Sequence, residues 1–549
     1  MKKTYLLIPL LFITLMSCST MKEIKVNQSQ IAIIPKPVSV VAHEGQFILD
    51  KNTSLEFNAS DKELLNISEY FNLILMKSAG FQLPINGNGG NKIVLKLVSE
   101  KLGKEGYELN VTDDEVVIKG NDYPGIFYGV ETLLQLLPPE IYSKTKVVDV
   151  QWTIPAATIK DAPKYQWRGM HLDVSRHFFK TDVVKRYIDY LAYHKLNVFH
   201  WHLTDDQGWR IEIKKYPKLT EIGGFRVDRS GINWNERELP KQGEKTPYGG
   251  FYTQDEIKDV IDYAGKRYIT IIPEIEMPGH ALAALAAYPE LSCTGGPFMV
   301  AGGQYWPITH IFCAGNDDTF TLLENVLDEV IALFPGKYIH IGGDEAAKDE
   351  WQKCPKCQAR IKAEGLKDEV ELQSYFTKRI EKFIASKGKT LIGWDEIIEG
   401  GLPERAAVMS WRGMEGGAHA MKEGHDVVMS PYQFVYFDYL QGDKENEPEG
   451  PRAVLPLEKV YSFELMPEGI DKDLQKHLLG GQANLWTEFI PTEERIEYML
   501  FPRIAALSES VWTESSQKDY NDFMKRMDIQ RKRYDALKVD YAKTAWGYK

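Results

Sequence analysis

The sequence predicts an α/β fold, namely a (β/α)8 TIM barrel preceded by a small α+β domain. Between residue 164 and the C-terminus, eight short apolar strands alternate with amphipathic helical segments, which is the pattern of parallel βα units. Residues 31–163 have a different pattern, with short alternating strands joined by two helices. No Gly-rich phosphate loop follows the first of the eight strands, which disfavours an open doubly wound sheet.

The N-terminal α+β domain, residues 31–163, is predicted from local patterns. Its predicted strands are Gln46 to Leu49, Ile93 to Leu97, Tyr107 to Val111 and Glu115 to Ile118. Helical patterns cover Asp61 to Ala79 and Tyr123 to Leu137, and Asp113-Asp114 has the position of a hairpin turn. The domain contains no catalytic constellation, so we expect a structural, accessory role.

The predicted barrel, residues 164–549, ends in a C-terminal helix. Its predicted strands are Trp167 to Asp173, Val198 to Leu203, Thr270 to Ile275, Tyr338 to Ile341, Thr390 to Trp394, Ala407 to Trp411, Asp426 to Met429 and Gln482 to Trp486. Intervening helical patterns are Thr181 to Lys195, Thr253 to Tyr268, Thr319 to Phe334 and Leu372 to Ser386. Eight such units are the number that closes a barrel.

The N-terminus predicts export and a lipid anchor. A basic start precedes a short apolar stretch that ends in LMSC, which resembles a bacterial lipobox, so residues 1–18 are predicted as a lipoprotein signal peptide and residues 19–30 as a linker. Cys18 would then carry the lipid and attach the chain to the bacterial cell envelope, at a periplasmic or outer-surface face. A plain secretory signal with an incidental cysteine is the alternative. The net charge of −12, without an internal basic run, argues against a nucleic-acid partner.

Four further cysteines remain in the predicted mature chain. Cys293 and Cys313 bracket a Gly-containing loop, and an export route makes a disulfide between them plausible. Cys354 and Cys357 fit a short-loop disulfide, half of a zinc site or a redox motif. We favour a structural pair, because no two further ligands follow nearby. No cofactor and no metal are expected.

The C-terminal ends of the eight predicted strands are polar, aromatic or both, and a barrel carries its active site at that face. Carboxylates beside tryptophans suit a sugar, which offers hydroxyls at its rim and apolar C–H faces for an indole. The sharpest of these ends has the sequence HIGGDE at residues 340–345. Gly342-Gly343 would break the strand so that Asp344 and Glu345 both reach one ligand. An acidic helix N-terminus is the structural alternative.

The HIGGDE segment resembles the signature of family-20 glycoside hydrolases, the β-N-acetylhexosaminidases. The likeness extends to GMHLDVSR at residues 169–176, NVFHWHLTDD at 197–206 and PEIEMPGH at 273–280. It implies exo-acting, retaining hydrolysis of terminal β-linked N-acetylhexosamine from glycans. In this mechanism the substrate's 2-acetamido oxygen attacks the anomeric carbon and forms an oxazolinium ion.

The resemblance also assigns residues to roles. Glu345 would be the general acid and base, Asp344 would orient the acetamide N–H and stabilise positive charge, and Tyr436 would hold the acetamide oxygen. The implied sugar-binding residues are Arg176, Trp394, Trp411, Asp438, Trp486 and Glu488. His280 would support the acid through a neighbouring carboxylate, with Asp205 or Asp206 sharing that support.

One departure from the family pattern concerns the outer pocket. The family often places a further Trp between the tyrosine-aspartate strand and the last barrel strand. This chain has none between Tyr436 and Trp486, and residues 441–456 are polar and Pro-containing instead. The preference for the leaving group therefore stays open.

Two other function classes compete with this interpretation. His200-Trp201-His202, with His280 and Asp344, resembles the ligands of a metal-dependent amidohydrolase, although that motif usually ends the first barrel strand rather than the second. The non-enzymatic alternative is a sugar-binding lipoprotein with an inactive barrel, which predicts a damaged acid pair. Both acids of the pair are present.

Overall fold

The computed structural model describes residues 31–451 and 453–546. The predicted signal peptide with Cys18, and the predicted linker, lie outside the described residues. Within these described ranges, no helix combines the length and the apolar character needed to cross a bilayer.

The N-terminal domain is a six-stranded sheet with helices packed on it. Its strands, in sheet order, are Ser39–Ile48, Thr153–Asp161, Tyr107–Val111, Glu115–Gly120, Lys92–Leu97 and Ser54–Glu56. Its helices are Lys62–Ser78 and Tyr123–Leu136, capped by the side chains of Asp61 and Asp122. The antiparallel pairing of Tyr107–Val111 with Glu115–Gly120 confirms the predicted hairpin.

The strand Thr153–Asp161 was not predicted, and it contains Pro155, a residue that is unfavourable within a central strand. The structure places Pro155 beyond the part that pairs with Tyr107–Val111, where only Ser39–Ile48 lies alongside. A register shift in Ser39–Ile48 between Ala42 and Gln46 adjoins this position. A proline is therefore tolerated at this end of the strand.

The predicted barrel is confirmed as a closed ring of eight parallel strands. The strands are Trp167–Asp173, Val198–His202, Thr270–Glu274, Tyr338–His340, Thr390–Trp394, Ala407–Ser410, Val427–Met429 and Leu478–Ala483. The last strand begins four residues before the predicted Gln482, in a segment that contains Gly480 and Gly481. A Cβ at Gly480 would lie 1.9 Å from the Trp167 carbonyl oxygen, so this strand needs glycine to approach its neighbour. Because glycines disfavour strands in sequence patterns, the prediction started too late.

Helices and loops surround the barrel and separate its strands. The α-helices are Thr181–Tyr193, Lys218–Glu221, Gln254–Gly265, Leu282–Ala287, Asp317–Leu333, Asp349–Lys353, Pro355–Glu364, Glu369–Ser386, Glu415–Lys422, Tyr432–Val435, Leu457–Tyr461, Glu493–Leu500, Arg503–Trp512 and Tyr520–Leu537. Two long excursions, residues 203–269 after the second strand and 275–337 after the third, each supply side chains to the cavity at the C-terminal face.

The two domains share a buried polar junction. Lys195 Nζ lies 3.3 Å from Asp161 Oδ2 and donates to Thr132 Oγ1 at 2.8 Å. Trp512 Nε1 of the barrel also donates to Asp161, at 2.9 Å. Because these groups are fully or almost fully buried, the N-terminal sheet is held firmly against the first barrel strands.

Candidate active site

The loop after the fourth barrel strand carries the predicted acid pair. Gly342 and Gly343 have φ values of +67° and +95°, so the strand ends there in a conformation that favours glycine. A Cβ on Gly342 would lie 1.8 Å from Glu276 Oε2, which adds a steric reason for glycine. Glu345 itself has φ +48°, a strained value for a non-glycine residue. The loop turns Asp344 and Glu345 toward one place, where their carboxylate oxygens come within 4.8 Å of each other.

His280 lies between this acid pair and two further carboxylates. Its Nε2 is 3.5 Å from both Asp344 Oδ2 and Glu345 Oε2. On the other side of the ring, Nδ1 is 3.2 Å from Asp205 Oδ1 and 3.1 Å from Asp206 Oδ2. His280 therefore contacts the acid pair directly, and both aspartates lie behind it.

Asp344, Glu345 and His280 differ in their electrostatic environment and in their exposure to solvent. Burial raises the pKa of Asp344 to about 7; the Glu345 carboxylate adds to the rise and the His280 ring opposes it. Burial lowers the pKa of His280, but Asp205 and Asp344 outweigh burial and raise this pKa well above its ordinary value. Glu345 differs in being more accessible, since its side chain is 33% exposed. The cationic imidazole of His280 therefore contacts two different carboxyl groups. Asp344 is buried and has a pKa near neutrality, and Glu345 is accessible to solvent.

A second set of titratable side chains in the same site comprises Arg176, Asp438 and Glu488. Arg176 Nη2 lies 2.8 Å from Asp205 Oδ2, and Nη1 lies 3.2 Å from Asp173 Oδ2 and 3.7 Å from Glu488 Oε1. Burial, together with the charge of Glu488, raises the pKa of Asp438 well above its ordinary value. Arg176 therefore pairs with Asp205 and Asp173, and it also faces the cavity described next.

Aromatic side chains form a continuous wall beside these charges. Trp411 stacks with Tyr436 at 6.1 Å between ring centroids, Tyr436 lies 6.5 Å from Trp486, and Trp486 lies 5.9 Å from Trp394. Hydrogen bonds fix two of the indoles, from Trp394 Nε1 to Glu274 Oε1 at 2.8 Å and from Trp411 Nε1 to Glu396 Oε2 at 2.9 Å. Burial raises the pKa of Tyr436 well above its ordinary value, so its hydroxyl stays protonated and able to donate.

The acid pair, His280 and most of the predicted sugar-binding side chains line one cavity of about 300 Å³ at the C-terminal face of the barrel. The predicted residues in its lining are Arg176, His280, Asp344, Glu345, Trp394, Trp411, Tyr436, Asp438, Trp486 and Glu488. Two of the carboxylates, Asp344 and Asp438, each have a buried Oδ1 without a hydrogen-bond partner. Such atoms are costly unless a ligand satisfies them. Asp205 and Asp206 do not line the cavity.

Comparison with known proteins identifies the family. The model of the glycosyl hydrolase family 20 catalytic domain matches residues 165–515, and that of domain 2 of the same family matches residues 30–162. A β-hexosaminidase of Porphyromonas gingivalis is 44% identical over 538 residues, covering 96% of this chain and 67% of that protein. The chain belongs to glycosyl hydrolase family 20. Its activity is accordingly that of a glycoside hydrolase, a β-N-acetylhexosaminidase.

Two further family-20 proteins extend this similarity. A β-hexosaminidase of Vibrio furnissii is 37% identical over 488 residues, covering 88% of this chain and 77% of that protein. The crystal structure of an exo β-N-acetylglucosaminidase from Vibrio harveyi has a TM-score of 0.82 and 33% identity, covering 95% of this chain and 79% of that one. The similarity therefore spans both domains.

The rest of the cavity lining comes from residues that the sequence did not point to. They are Trp234, Asn235, Gln304, Tyr439, Pro451 and Phe489. Trp234 and Asn235 belong to the excursion after the second strand, and Gln304 to that after the third. Trp234 adds a further aromatic ring to the lining, and Pro451 of the polar segment 441–456 lies at the same cavity.

His200 and His202, two of the ligands in the rival metal-hydrolase interpretation, contact a buried carboxylate and do not line the cavity. Glu274 Oε2 lies 3.1 Å from His200 Nε2 and also contacts His202 Nδ1, while Oε1 lies 2.8 Å from His340 Nδ1. His202 Nε2 continues to Asp205 Oδ2 at 3.0 Å. Burial lowers the pKa of His202, but Glu274 and Asp205 raise it to about 10. His202 and Asp205 thus connect the buried Glu274 to His280, which in turn contacts the acid pair.

The predicted disulfide between Cys293 and Cys313 is wrong for this structure, in which the thiols of Cys293, Cys313, Cys354 and Cys357 are free. The favoured pairing within Cys354-Pro355-Lys356-Cys357 is absent as well. The physical reason is that all four sulfurs meet in one cluster, within 4.8 Å of one another, so that no two of them are set apart as a pair.

Proposed function

We propose that the chain is an exo-acting, retaining β-N-acetylhexosaminidase that releases terminal non-reducing GlcNAc or GalNAc from glycans. The nucleophile would be the substrate's own 2-acetamido oxygen, and the intermediate an oxazolinium ion. The observation that carries the proposal is the single cavity in which an acid pair, a protonated tyrosine and a wall of indoles meet. The exo β-N-acetylglucosaminidase of V. harveyi, whose structure holds N-acetylglucosamine, supports the substrate class.

Glu345 suits the part of general acid and base. Its accessible carboxyl group would donate a proton to the glycosidic oxygen as the bond to the anomeric carbon breaks, and the leaving alcohol departs neutral. The resulting carboxylate would then take a proton from the water that opens the oxazolinium ring, which restores the acid. Retention of configuration follows from two successive displacements at the same carbon.

Asp344 and Tyr436 suit the handling of the acetamide group. The buried, unpartnered Oδ1 of Asp344 would accept the acetamide N–H, and the negative charge of this residue would stabilise the oxazolinium ion. The Tyr436 hydroxyl would donate to the acetamide oxygen and aim it at the anomeric carbon. Since the nucleophile is tethered to the sugar, positioning replaces a protein nucleophile.

The remaining cavity groups suit one sugar ring. Arg176 would donate to the 3- and 4-hydroxyls, while Asp438 and Glu488 would accept from the 4- and 6-hydroxyls. Trp394, Trp411 and Trp486 would pack on the apolar face of the ring and on the acetamide methyl. A volume of about 300 Å³ lies at the small end for ligand pockets, which fits a terminal unit held at an exo site.

The deciding experiment compares chromogenic β-glycosides of N-acetylglucosamine, N-acetylgalactosamine and glucose. We expect turnover of the two N-acetylated substrates and poor turnover of the glucoside, which lacks the internal nucleophile. A thiazoline mimic of the cyclic intermediate should inhibit competitively. Brisk hydrolysis of the glucoside, with no inhibition by the thiazoline, would instead indicate a protein nucleophile such as Asp344.

We also propose that the chain is exported and held at the bacterial cell envelope by a lipid on Cys18. The support is the basic and apolar N-terminus that ends in the LMSC segment. In cells that express the full chain, the protein should fractionate with membranes and its first residue should carry acyl chains by mass spectrometry. Cys18→Ser should release the protein or leave its signal peptide uncut. An unmodified Cys18 in membrane-free protein would contradict the anchor.

A further inference from the structure

Two pairs of cysteines that are distant from each other in sequence meet in one cluster of four. Cys293 and Cys313 belong to the excursion after the third barrel strand, and Cys354 and Cys357 to the segment after the fourth. Sequence separations between members of the two pairs reach 64 residues. Cys293 is half-buried and the other three are buried. A chance gathering of four thiols is improbable in a chain with five cysteines in total.

The spacing of the sulfurs matches a tetrahedral metal site. Cys313 Sγ lies 3.6 Å from Cys357 Sγ and 3.8 Å from Cys354 Sγ, and Cys293 Sγ lies 3.7 Å from Cys357 Sγ. With a Zn–S distance of about 2.3 Å, the sulfurs of a tetrahedral site lie about 3.8 Å apart. A disulfide instead requires about 2.05 Å. Since Cys357 is nearly equidistant from Cys293 and Cys313, the cluster favours no particular disulfide.

We propose that Cys293, Cys313, Cys354 and Cys357 bind one zinc ion as a structural site. Four thiolates are the soft ligand set that zinc prefers, and a closed four-sulfur shell leaves no position for substrate or water. This proposal revises the sequence-based expectation of no metal. That expectation considered only ligands that follow the CPKC segment, whereas the two further ligands precede it.

The surrounding backbone prepares the site. Cys354 is the N-cap of the helix Pro355–Glu364 and Cys357 lies in its first turn, where the helix dipole stabilises thiolate charge. Gly315 allows the two segments to approach, because a Cβ there would lie 2.2 Å from the Lys356 carbonyl carbon. The Cys313 N–H donates to Leu291 O at 2.8 Å, and Trp351 Nε1 donates to Phe312 O at 3.0 Å. The ligands are thus held in place by contacts other than the metal.

The site would join the two segments that carry the catalytic cluster. His280 begins the excursion that supplies Cys293 and Cys313, and Glu345 lies in the loop that leads to Cys354 and Cys357. The same segments touch again through His310 Nδ1 and Glu350 Oε1 at 2.7 Å, and through the Ala347 N–H and Ile308 O at 3.2 Å. A zinc ion would therefore stabilise the placement of His280 against Glu345 without touching substrate.

Metal content tests the proposal directly. The full chain, purified without chelator, should contain about one zinc per chain by elemental analysis. Cys293→Ser and Cys357→Ser should each lose most of that zinc, whereas the control Cys18→Ser should retain it. Zinc that persists in both cluster variants would overturn the assignment, because it would lie at another site such as the active-site carboxylates.

Two further measurements keep the test decisive if the cluster variants fold poorly. Cobalt exchanged into the wild-type chain should show the thiolate charge-transfer and d–d absorption of a tetrahedral four-sulfur site. In Cys18→Ser protein denatured with chelator and no reductant, four thiols should react with a thiol reagent. If thiols appear only after reduction, the cluster forms disulfides and the zinc proposal is wrong.

The metal should matter for stability more than for chemistry. Removing zinc with a chelator should lower the Tm of the wild-type chain, and re-added zinc should restore it. The Tm of Cys293→Ser should be low already and should not respond to chelator. An unchanged wild-type Tm after complete zinc loss would contradict a structural role.

Discussion

At the scale of single residues, the neighbours Asp344 and Glu345 differ in environment. The Asp344 side chain is 11% exposed and lies among buried charges, whereas the Glu345 side chain is 33% exposed and can meet a leaving group or a water molecule. This difference predicts separate parts for two residues that are adjacent in sequence. Glu345 exchanges protons, and Asp344 supplies a fixed charge.

Replacing Glu345 by Gln tests the first part. The variant keeps the shape of the side chain but cannot donate a proton, so kcat for natural glycans should fall by a factor of about 10²–10⁴. Substrates whose leaving groups depart without protonation should lose far less. Steady-state rates on a chitobiose-type substrate and on an activated aryl glycoside measure the two losses. Asp349→Asn, an exposed carboxylate in the following helix, is the matched control and should leave both rates unchanged.

The raised pKa of Asp344 predicts the pH dependence. Its carboxylate must be ionised to stabilise the oxazolinium ion, and its pKa is about 7 in the free protein. As pH falls below that value the protonated fraction grows, so kcat/KM should decline about tenfold per unit on the acid side. This acid limb should lie well above the pKa of an ordinary aspartate, which is about 3.9. Initial rates from acidic to neutral pH give the profile.

His280 provides the control for this assignment. Its cationic ring lies 3.5 Å from Asp344 Oδ2 and lowers the pKa of that carboxyl group. In His280→Gln the positive charge is lost, so the acid limb of kcat/KM should move to higher pH. A limb that keeps its position in the variant would show that another group controls it.

At the scale of elements, the sequence patterns predicted those strands whose ends are determined by the residues next to them in the chain. The strand Thr390–Trp394 was predicted at its exact residues because an apolar run is bounded by polar residues, and the strand ends located Arg176, Asp344 and Tyr436. Trp234 and Gln304 were missed, because a loop folds over the pocket through contacts that no local period encodes. The cysteine cluster was missed for the same reason, since its members meet only after two segments pack together.

The last barrel strand allows a test at this scale. Gly480 has φ +150°, and a Cβ there would collide with the Trp167 carbonyl oxygen, so Gly480→Ala should separate the strand from its neighbour. We expect a loss of at least about 1–3 kcal/mol in the free energy of unfolding. Gly265→Ala is the control, because that helical position has open space and alanine favours helix. Denaturant unfolding should show destabilisation of the first variant and no destabilisation of the second.

At the scale of the whole molecule, the two domains depend on a buried ion pair. Lys195 and Asp161 have no exposed side-chain surface, and Asp161 also accepts the hydrogen bond from Trp512 Nε1 of the barrel. Both residues of the pair lie close to barrel strands in the sequence. Lys195 lies just before the strand Val198–His202, and Asp161 lies just before the strand Trp167–Asp173. A change at this junction should therefore reach the catalytic barrel as well as the accessory sheet.

Lys195→Met tests this coupling. The substitution leaves the Asp161 carboxylate buried without its cation, so the free energy of unfolding should fall by about 3–5 kcal/mol. Lys185→Met removes a partly exposed pair with Asp259 and should cost no more than about 1 kcal/mol. Both variants should keep wild-type kcat while folded, because neither lysine lines the cavity. Limited digestion of Lys195→Met with chymotrypsin at increasing denaturant concentration tests the coupling of the domains. If the junction couples them, cleavage sites in the N-terminal sheet and in the barrel should become accessible at the same denaturant concentration. Cleavage confined to residues 31–163 would mean that the barrel stays folded without the accessory domain.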